Sequence, residues 1–157
     1  MPTTMASLAL LAALLPVVFV SGENASCPAD WTLLQDMCLW ISDEELPYWR
    51  AYEECKNNGS HLTYIESAQE DFLLAGALSV KGKESVWIGL NDLEIDNVFV
   101  WVDNEPLTYS NFHEGDPAVT GPHAEENCVA MTSAKNYQWS SEYCFDHRAF
   151  VCRKDLQ

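Results

Sequence analysis

The chain of 157 residues carries 8 basic and 24 acidic side chains, which give a formal net charge of −16. This length suits a single domain, and the acidic balance excludes sequence-independent binding to nucleic acid, which depends on clustered lysine and arginine. Six tryptophans, six tyrosines and six phenylalanines also exclude a disordered acidic chain, because such chains are poor in aromatic residues.

The first 22 residues have the pattern of a secretory signal peptide. An apolar stretch of 13 residues, broken only by Pro16, runs from 8 to 20 and is followed by Ser21 and Gly22. The stretch is shorter than the roughly 20 residues that cross a bilayer as a helix, and small residues are typical of a cleavage site. We therefore predict a signal peptide at 1–22, a single domain at 23–157, and a secreted, extracellular product without a membrane span.

All six cysteines lie in the predicted domain. An even number of cysteines in an oxidising compartment favours three disulfides, and the lack of any CxxC pair argues against a zinc site. Spacing alone does not choose among the possible pairings. Two sequons, at Asn24 and Asn58, predict N-linked glycosylation, with an unused sequon as the alternative at each.

The front of the domain predicts a hairpin followed by a helix. Short apolar runs split by Asp36 favour a hairpin over 27–41. Pro47 suits the first turn of a helix, and the Asn-Asn-Gly of 57–59 ends it. The apolar residues of this helix follow at three-residue steps, namely Trp49, Tyr52 and Cys55.

A second helix and several strands follow. Ser67 and Glu70 form a capping box that predicts the start of the second helix, and 61–65 suits a short strand before it. Compact apolar runs predict further strands at 86–90, 98–102, 128–131 and 149–152. Residues 103–127 lack helical or strand periodicity, and a loop of this length in a compact domain is usually functional or disordered.

Several cysteine and tryptophan motifs occur together in one order. They are Cys-Pro-x-x-Trp at 27–31, the cysteine at 55, Ser-His-Leu at 60–62, Trp-Ile-Gly-Leu at 87–90 and the ending from Cys144 to Cys152. This set resembles a C-type lectin-like domain over residues 27–152. The resemblance implies an α+β fold, in which two helices flank twisted antiparallel sheets and a long loop region lies on one side. It also implies three disulfides, which join Cys27 with Cys38, Cys55 with Cys152, and Cys128 with Cys144.

Such lectins coordinate sugar hydroxyls through a bound calcium ion, so the resemblance implies a calcium site in the long loop. Asp116 and Glu126 match the ligands of the family in character. Ala118 has no side-chain oxygen to offer, and Ser140 and Ser141 stand where the family has an amide and a carboxylate. We therefore expect an altered carbohydrate-binding site at Asp116, Glu126, Ser140 and Ser141, with Asp116 and Glu126 as calcium ligands.

A second, structural calcium site is expected from the same resemblance. Asp92 and Asp96, in the acidic loop after the Trp-Ile-Gly-Leu strand, match two of its ligands, and Asn127 matches a third. Val119 stands where the family has a further acid. The alternative for the two aspartates is a solvated turn, which their asparagine neighbours also favour.

Two functions remain open at this point. The first is a secreted carbohydrate-binding lectin, calcium-dependent through the altered loop site, whose partner is a glycan or glycoprotein. The alternative is a lectin-like domain that binds a protein, mineral or ice surface without sugar coordination. An enzyme is not expected, because the adjacent acids Glu125 and Glu126 are not two carboxylates held across a cleft about 5 to 10 Å wide, as in glycosidases.

Overall fold

The computed structural model describes residues 26–117 and 125–156. The predicted signal peptide and the sequon at Asn24 lie outside the described residues. Among the described residues, no helix is both long and apolar enough to span a bilayer.

Two α-helices and eight strands are present in the described chain, together with a 3-10 turn at Ser133–Lys135. In chain order they are β1 (Thr32–Leu34), β2 (Met37–Ile41), α1 (Tyr48–Asn57), β3 (His61–Leu62), α2 (Ala68–Val80), β4 (Ser85–Asn91), β5 (Val100–Trp101), β6 (Cys128–Thr132), β7 (Trp139–Glu142) and β8 (Ala149–Asp155). The predicted elements are confirmed, although β3 and β5 are shorter than expected. Strand β7 was not predicted, because its sequence Trp-Ser-Ser-Glu has no apolar alternation.

The strands form one sheet in the order β1-β2-β8-β4-β6-β7, with β3 paired to β8 and β5 paired to β4. Strand β8 lies between β2 and β4, antiparallel to the first and parallel to the second. The other pairs are antiparallel. The α+β fold with two helices is therefore confirmed, and the sheet is mixed where purely antiparallel sheets were expected.

The side chains of β4 divide the core into two layers, because alternate residues of a strand point to opposite faces. Val86, Ile88 and Leu90 pack in the layer that contains residues of α2. Trp87 points to the other layer, together with residues of α1. Each helix thus covers one face of the sheet, and the apolar run of β4 is buried on both sides.

The residues that α1 buries differ from the apolar set at three-residue steps that the sequence indicated. Its buried residues are Tyr48, Ala51 and Cys55, which follow the helical pattern i, i+3, i+7. Trp49 is 40% exposed and packs edge-on against Phe145, with ring centroids 4.7 Å apart. The largest apolar side chain of the helix therefore lies at the surface, beside the loop that precedes β8.

Local and covalent contacts hold the helices in place. The hydroxyl of Ser67 accepts from the backbone N–H of Glu70 at 3.2 Å, which confirms the predicted cap of α2. The three disulfides implied by the resemblance are all present, Cys27–Cys38, Cys55–Cys152 and Cys128–Cys144. The second disulfide ties α1 to β8, so the first helix and the last strand are joined covalently.

Candidate functional site

The first half of the long loop is docked along the edge of the sheet. The backbone of Trp139 in β7 donates to the carbonyl of Asn111 at 2.9 Å and accepts from the amide of His113 at 2.8 Å. Phe112, between them, forms a parallel bridge with Trp139. The loop therefore extends the sheet beyond β7, and this extension determines where Asp116 lies.

Asp116 contacts both β7 and the turn before it. Its Oδ1 atom accepts from the backbone N–H and the hydroxyl of Ser141, at 3.2 and 3.3 Å. Its Oδ2 atom accepts from Nζ of Lys135 at 2.9 Å. The peptide bond between Asp116 and Pro117 is cis. Two predicted site residues, Asp116 and Ser141, are thus in direct contact, and a lysine that no motif indicated joins them.

Ser140 and Ser141 are buried, at 0% and 2% exposure. The hydroxyl of Ser140 donates to Oε1 of Glu142 at 2.7 Å, and Oε2 of Glu142 pairs with Nη2 of Arg148 at 2.8 Å. From within the sheet, Ser141 supports Asp116 and Ser140 supports Glu142. Their part in carbohydrate binding stays a prediction.

Glu126 is half-buried and lies two residues before β6 begins at Cys128. Cys128 pairs with Glu142 at one end of the β6–β7 ladder, so Glu126 lies just beyond that end. Asp116 reaches the same ladder through its hydrogen bonds with Ser141. Ala118 belongs to residues 118–124, which lie outside the described residues. The two predicted loop acids are thus placed at the same end of one pair of strands.

The groups around Asp116 do not fit a calcium ion. Calcium takes about 6 to 8 oxygen ligands, whereas Oδ2 of Asp116 is already paired with an ammonium group, whose positive charge opposes a second cation there. Within 26–117 and 125–156, near Asp116 or elsewhere, no three Asp, Glu, His or Cys side chains gather closely enough to hold a metal, so a calcium site in this part of the chain would also need amide or backbone oxygens. The calcium site expected at Asp116 and Glu126 stays a prediction, and the described residues place a lysine ammonium against Asp116 instead.

The acidic loop after β4 presents a different arrangement. Oδ2 of Asp92 accepts from the N–H of Asn97 at 2.8 Å, whereas Oδ1 is buried without a hydrogen-bond partner. Burial raises the pKa of Asp92, and the nearby charge of Asp96 raises it further. The amide of Asp92 donates to the carbonyl of Asn127 at 3.0 Å. Asp96 is exposed and fits a solvated turn. Asp92 does not fit one, because its Oδ1 atom is buried without a hydrogen-bond partner, and a bound cation could supply that partner.

The second sequon, at Asn58, lies directly after the end of α1. Asn58 is exposed, and its side-chain amide donates to the carbonyl of Glu54 at 3.0 Å. An exposed helix end leaves room for a glycan, so glycosylation at Asn58 stays a prediction that the burial pattern permits.

Several known proteins have a similar fold and a related sequence. The family model described as Lectin C-type domain matches residues 44–154. A C-type lectin of Micrurus corallinus is 31% identical over 144 residues, which cover 87% of this chain and 90% of that relative. The mouse scavenger receptor C-type lectin carbohydrate-recognition domain has a TM-score of 0.77 and 30% identity, and the match covers 84% of this chain and 100% of that domain. A calcium-independent type II antifreeze protein has a TM-score of 0.76 and 26% identity, over 84% of this chain and 96% of that protein.

Proposed function

Because this chain belongs to the C-type lectin domain family, we propose that it is a secreted carbohydrate-binding protein. It recognises a glycan or glycoprotein through the face formed by the long loop and the adjoining ends of β6 and β7, and it is a binding protein and not an enzyme. The observation that carries this proposal is the contact between Asp116 and Ser141, because it joins the loop to β7 where the family resemblance places the sugar.

On this face, pre-positioned oxygen atoms accept hydrogen bonds from sugar hydroxyls. Asp116 is held by Ser141 and Lys135, and the half-buried Glu126 lies beside the start of β6. A side chain that is already held loses less conformational entropy on binding than a free one. Ser140 acts indirectly, because it holds Glu142 at the end of β7.

Calcium, the cofactor expected for this family, belongs in our proposal to the loop after β4. Oδ1 of Asp92 supplies a buried ligand without a protein partner, and Asp96 and Asn127 supply further oxygens from the same region. If calcium binds there, it would neutralise a buried carboxylate, and Asp92 and Asn127 would hold the acidic loop against the chain that leads into β6. Calcium in this loop would contribute to ligand binding only indirectly, by fixing the chain next to the binding face, and would not contact the sugar.

A glycan array, read in calcium and in chelator, tests the proposal. We expect a glycan signal for the secreted wild-type protein that Asp116→Ala abolishes. The matched control Asp43→Ala removes an acid whose side chain is fully exposed, and it leaves the signal unchanged. Calorimetric titration tests the cofactor, because Asp92→Asn eliminates the heat of calcium binding. A folded protein that binds no glycan in either condition rejects carbohydrate binding.

A second candidate is a lectin-like domain that binds a protein, mineral or ice surface without sugar coordination. The ion pair between Lys135 and Asp116 favours it, since this carboxylate is already neutralised, and so does the likeness to a calcium-independent antifreeze protein. The formal net charge of −16 favours a cationic mineral or basic protein among these surfaces. Retention on calcium carbonate or hydroxyapatite, or thermal hysteresis of ice, without any glycan signal supports this candidate against the first.

A further inference from the structure

A lysine ammonium lies where the long loop meets the sheet. Nζ of Lys135 lies 2.9 Å from Oδ2 of Asp116, and the two side chains are 32% and 10% exposed. A pair this sheltered is screened much less by solvent and salt than a surface pair. Because Asp116 also accepts two hydrogen bonds from Ser141, its carboxylate connects three segments, the long loop, the turn after β6, and β7.

Several hydrogen bonds fix the backbone conformation of the turn that carries Lys135. Lys135 ends the 3-10 turn, and the next two residues, Asn136 and Tyr137, both have left-handed backbones, with φ of 53° and 60°. Residues other than glycine rarely adopt this conformation, and strained backbone persists only where surrounding contacts over-determine it. Here the amide of Tyr137 donates to the carbonyl of Thr132, and its hydroxyl donates to the carbonyl of Lys83, both at 2.8 Å.

The position of the ammonium opposes a divalent cation at Asp116. A calcium ion bound to Oδ2 would lie within a few ångströms of Nζ of Lys135, and the two positive charges would repel each other. Lysine presents a compact charge with three rotatable donors, so one ammonium can neutralise the carboxylate that a metal ion would otherwise neutralise. The chain thus supplies its own cation at the point where its family uses a metal.

We propose that the ammonium of Lys135 replaces the loop calcium of the family, and that it holds residues 113–116 against β7 whether or not calcium is present. Lys135 is in this sense a positioning residue. The inference goes beyond the proposed function, because it concerns how the loop face is held together and does not depend on which ligand that face binds. The face is then formed in compartments and conditions where calcium is scarce.

Amide hydrogen exchange of the loop in the secreted protein, detected by mass spectrometry, tests this inference without any glycan. Asp92→Asn is included in every variant, so that calcium bound in the loop after β4 does not contribute. In this background we expect exchange of 107–117 to be the same in millimolar calcium and in chelator. Replacing the lysine by methionine in Lys135→Met should accelerate it about tenfold, since a sheltered carboxylate then lacks its partner.

Two matched variants separate the specific effect from a general loss of stability. Lys135→Arg keeps the charge and should keep exchange slow, within a few-fold of the Asp92→Asn protein that retains Lys135. Lys81→Met removes an exposed lysine that follows the end of α2, and it should leave the loop unchanged. The inference is overturned if calcium slows loop exchange in the Asp92→Asn protein, or if Lys135→Met behaves like Lys81→Met. If Lys135→Met does not fold, the calcium comparison in the Asp92→Asn protein decides alone.

Discussion

The indole Nε1 of Trp139 donates a hydrogen bond of 2.8 Å to Oδ1 of Asp71. Both residues are buried, at 0% and 5% exposure, and they belong to β7 and α2. Oδ2 of Asp71 accepts two further bonds from the long loop, from the amide of Asn111 at 2.6 Å and the hydroxyl of Tyr109 at 3.2 Å. One carboxylate of the second helix therefore holds the loop and the strand on which it docks.

Asp71→Asn should destabilise the protein by about 2 to 3 kcal/mol, because hydrogen bonds to a charged acceptor are lost and a buried amide donor is left facing other donors. Urea denaturation at neutral pH measures this change. Asp43→Asn is the control, since the Asp43 side chain is fully exposed and a surface carboxylate adds little to stability. Equal losses in the two variants would contradict a specific role for Asp71.

Gly89 of the Trp-Ile-Gly-Leu strand has no room for a side chain. A Cβ atom there would lie 2.9 Å from the carbonyl oxygen of Leu62 and 3.1 Å from that of Thr63. Gly89→Ala should therefore cost about 1 to 3 kcal/mol, because the close backbone approach cannot adjust without a shift of β4. The control Gly76→Ala lies in α2 with nothing within 4 Å of the added Cβ, and it should stabilise by about 0.5 to 1 kcal/mol. Thermal or urea denaturation that ranks the two variants the other way would refute the steric argument.

Removal of the disulfide between α1 and β8 should destabilise more than removal of the one between β6 and the loop after β7. Cys55–Cys152 closes 97 residues and Cys128–Cys144 closes 16, and chain entropy alone makes the first worth about 1.5 kcal/mol more. The two double cysteine-to-alanine variants bury their new alanines alike, so denaturation midpoints compare them directly. Equal losses would mean that loop entropy does not govern the difference.

The stability of the domain should fall in acid partly through Asp155. Burial by itself would raise the pKa of this carboxyl, but hydrogen bonds from Tyr64 and Arg153, each of 2.7 Å, outweigh burial and lower the pKa. The stabilisation is complete above the unfolded pKa of about 4 and is lost as pH falls through the lower folded value. Asp155→Asn should flatten the dependence of the unfolding free energy on pH below about 4, and Tyr64→Phe should have an intermediate effect. Identical acid profiles for all three proteins would remove Asp155 from the explanation.

Signals between neighbours in sequence predicted the local structure of this chain. The cap of Ser67 on Glu70 involves residues three apart and was confirmed, as was the buried strand around Trp87. The face of α1 was less well indicated, because Trp49 is as apolar as Tyr48 and only the packing of the helix on the sheet decided which of them is buried. Strand β7 escaped notice because its pairing with β6, and not its composition, makes it a strand.

The sequence by itself determined the family, the three disulfides through their resemblance, the order of helices and strands, and the acids at 92, 116 and 126 as candidate ligands. Tertiary structure alone decided that Ser140 and Ser141 are buried, that Lys135 neutralises Asp116, and that Asp71 anchors Trp139. The physical reason is the range of the interactions. Caps, turns and periodic burial act over a few residues, whereas these contacts join segments 19 to 68 residues apart, and only the folded sheet brings those segments together.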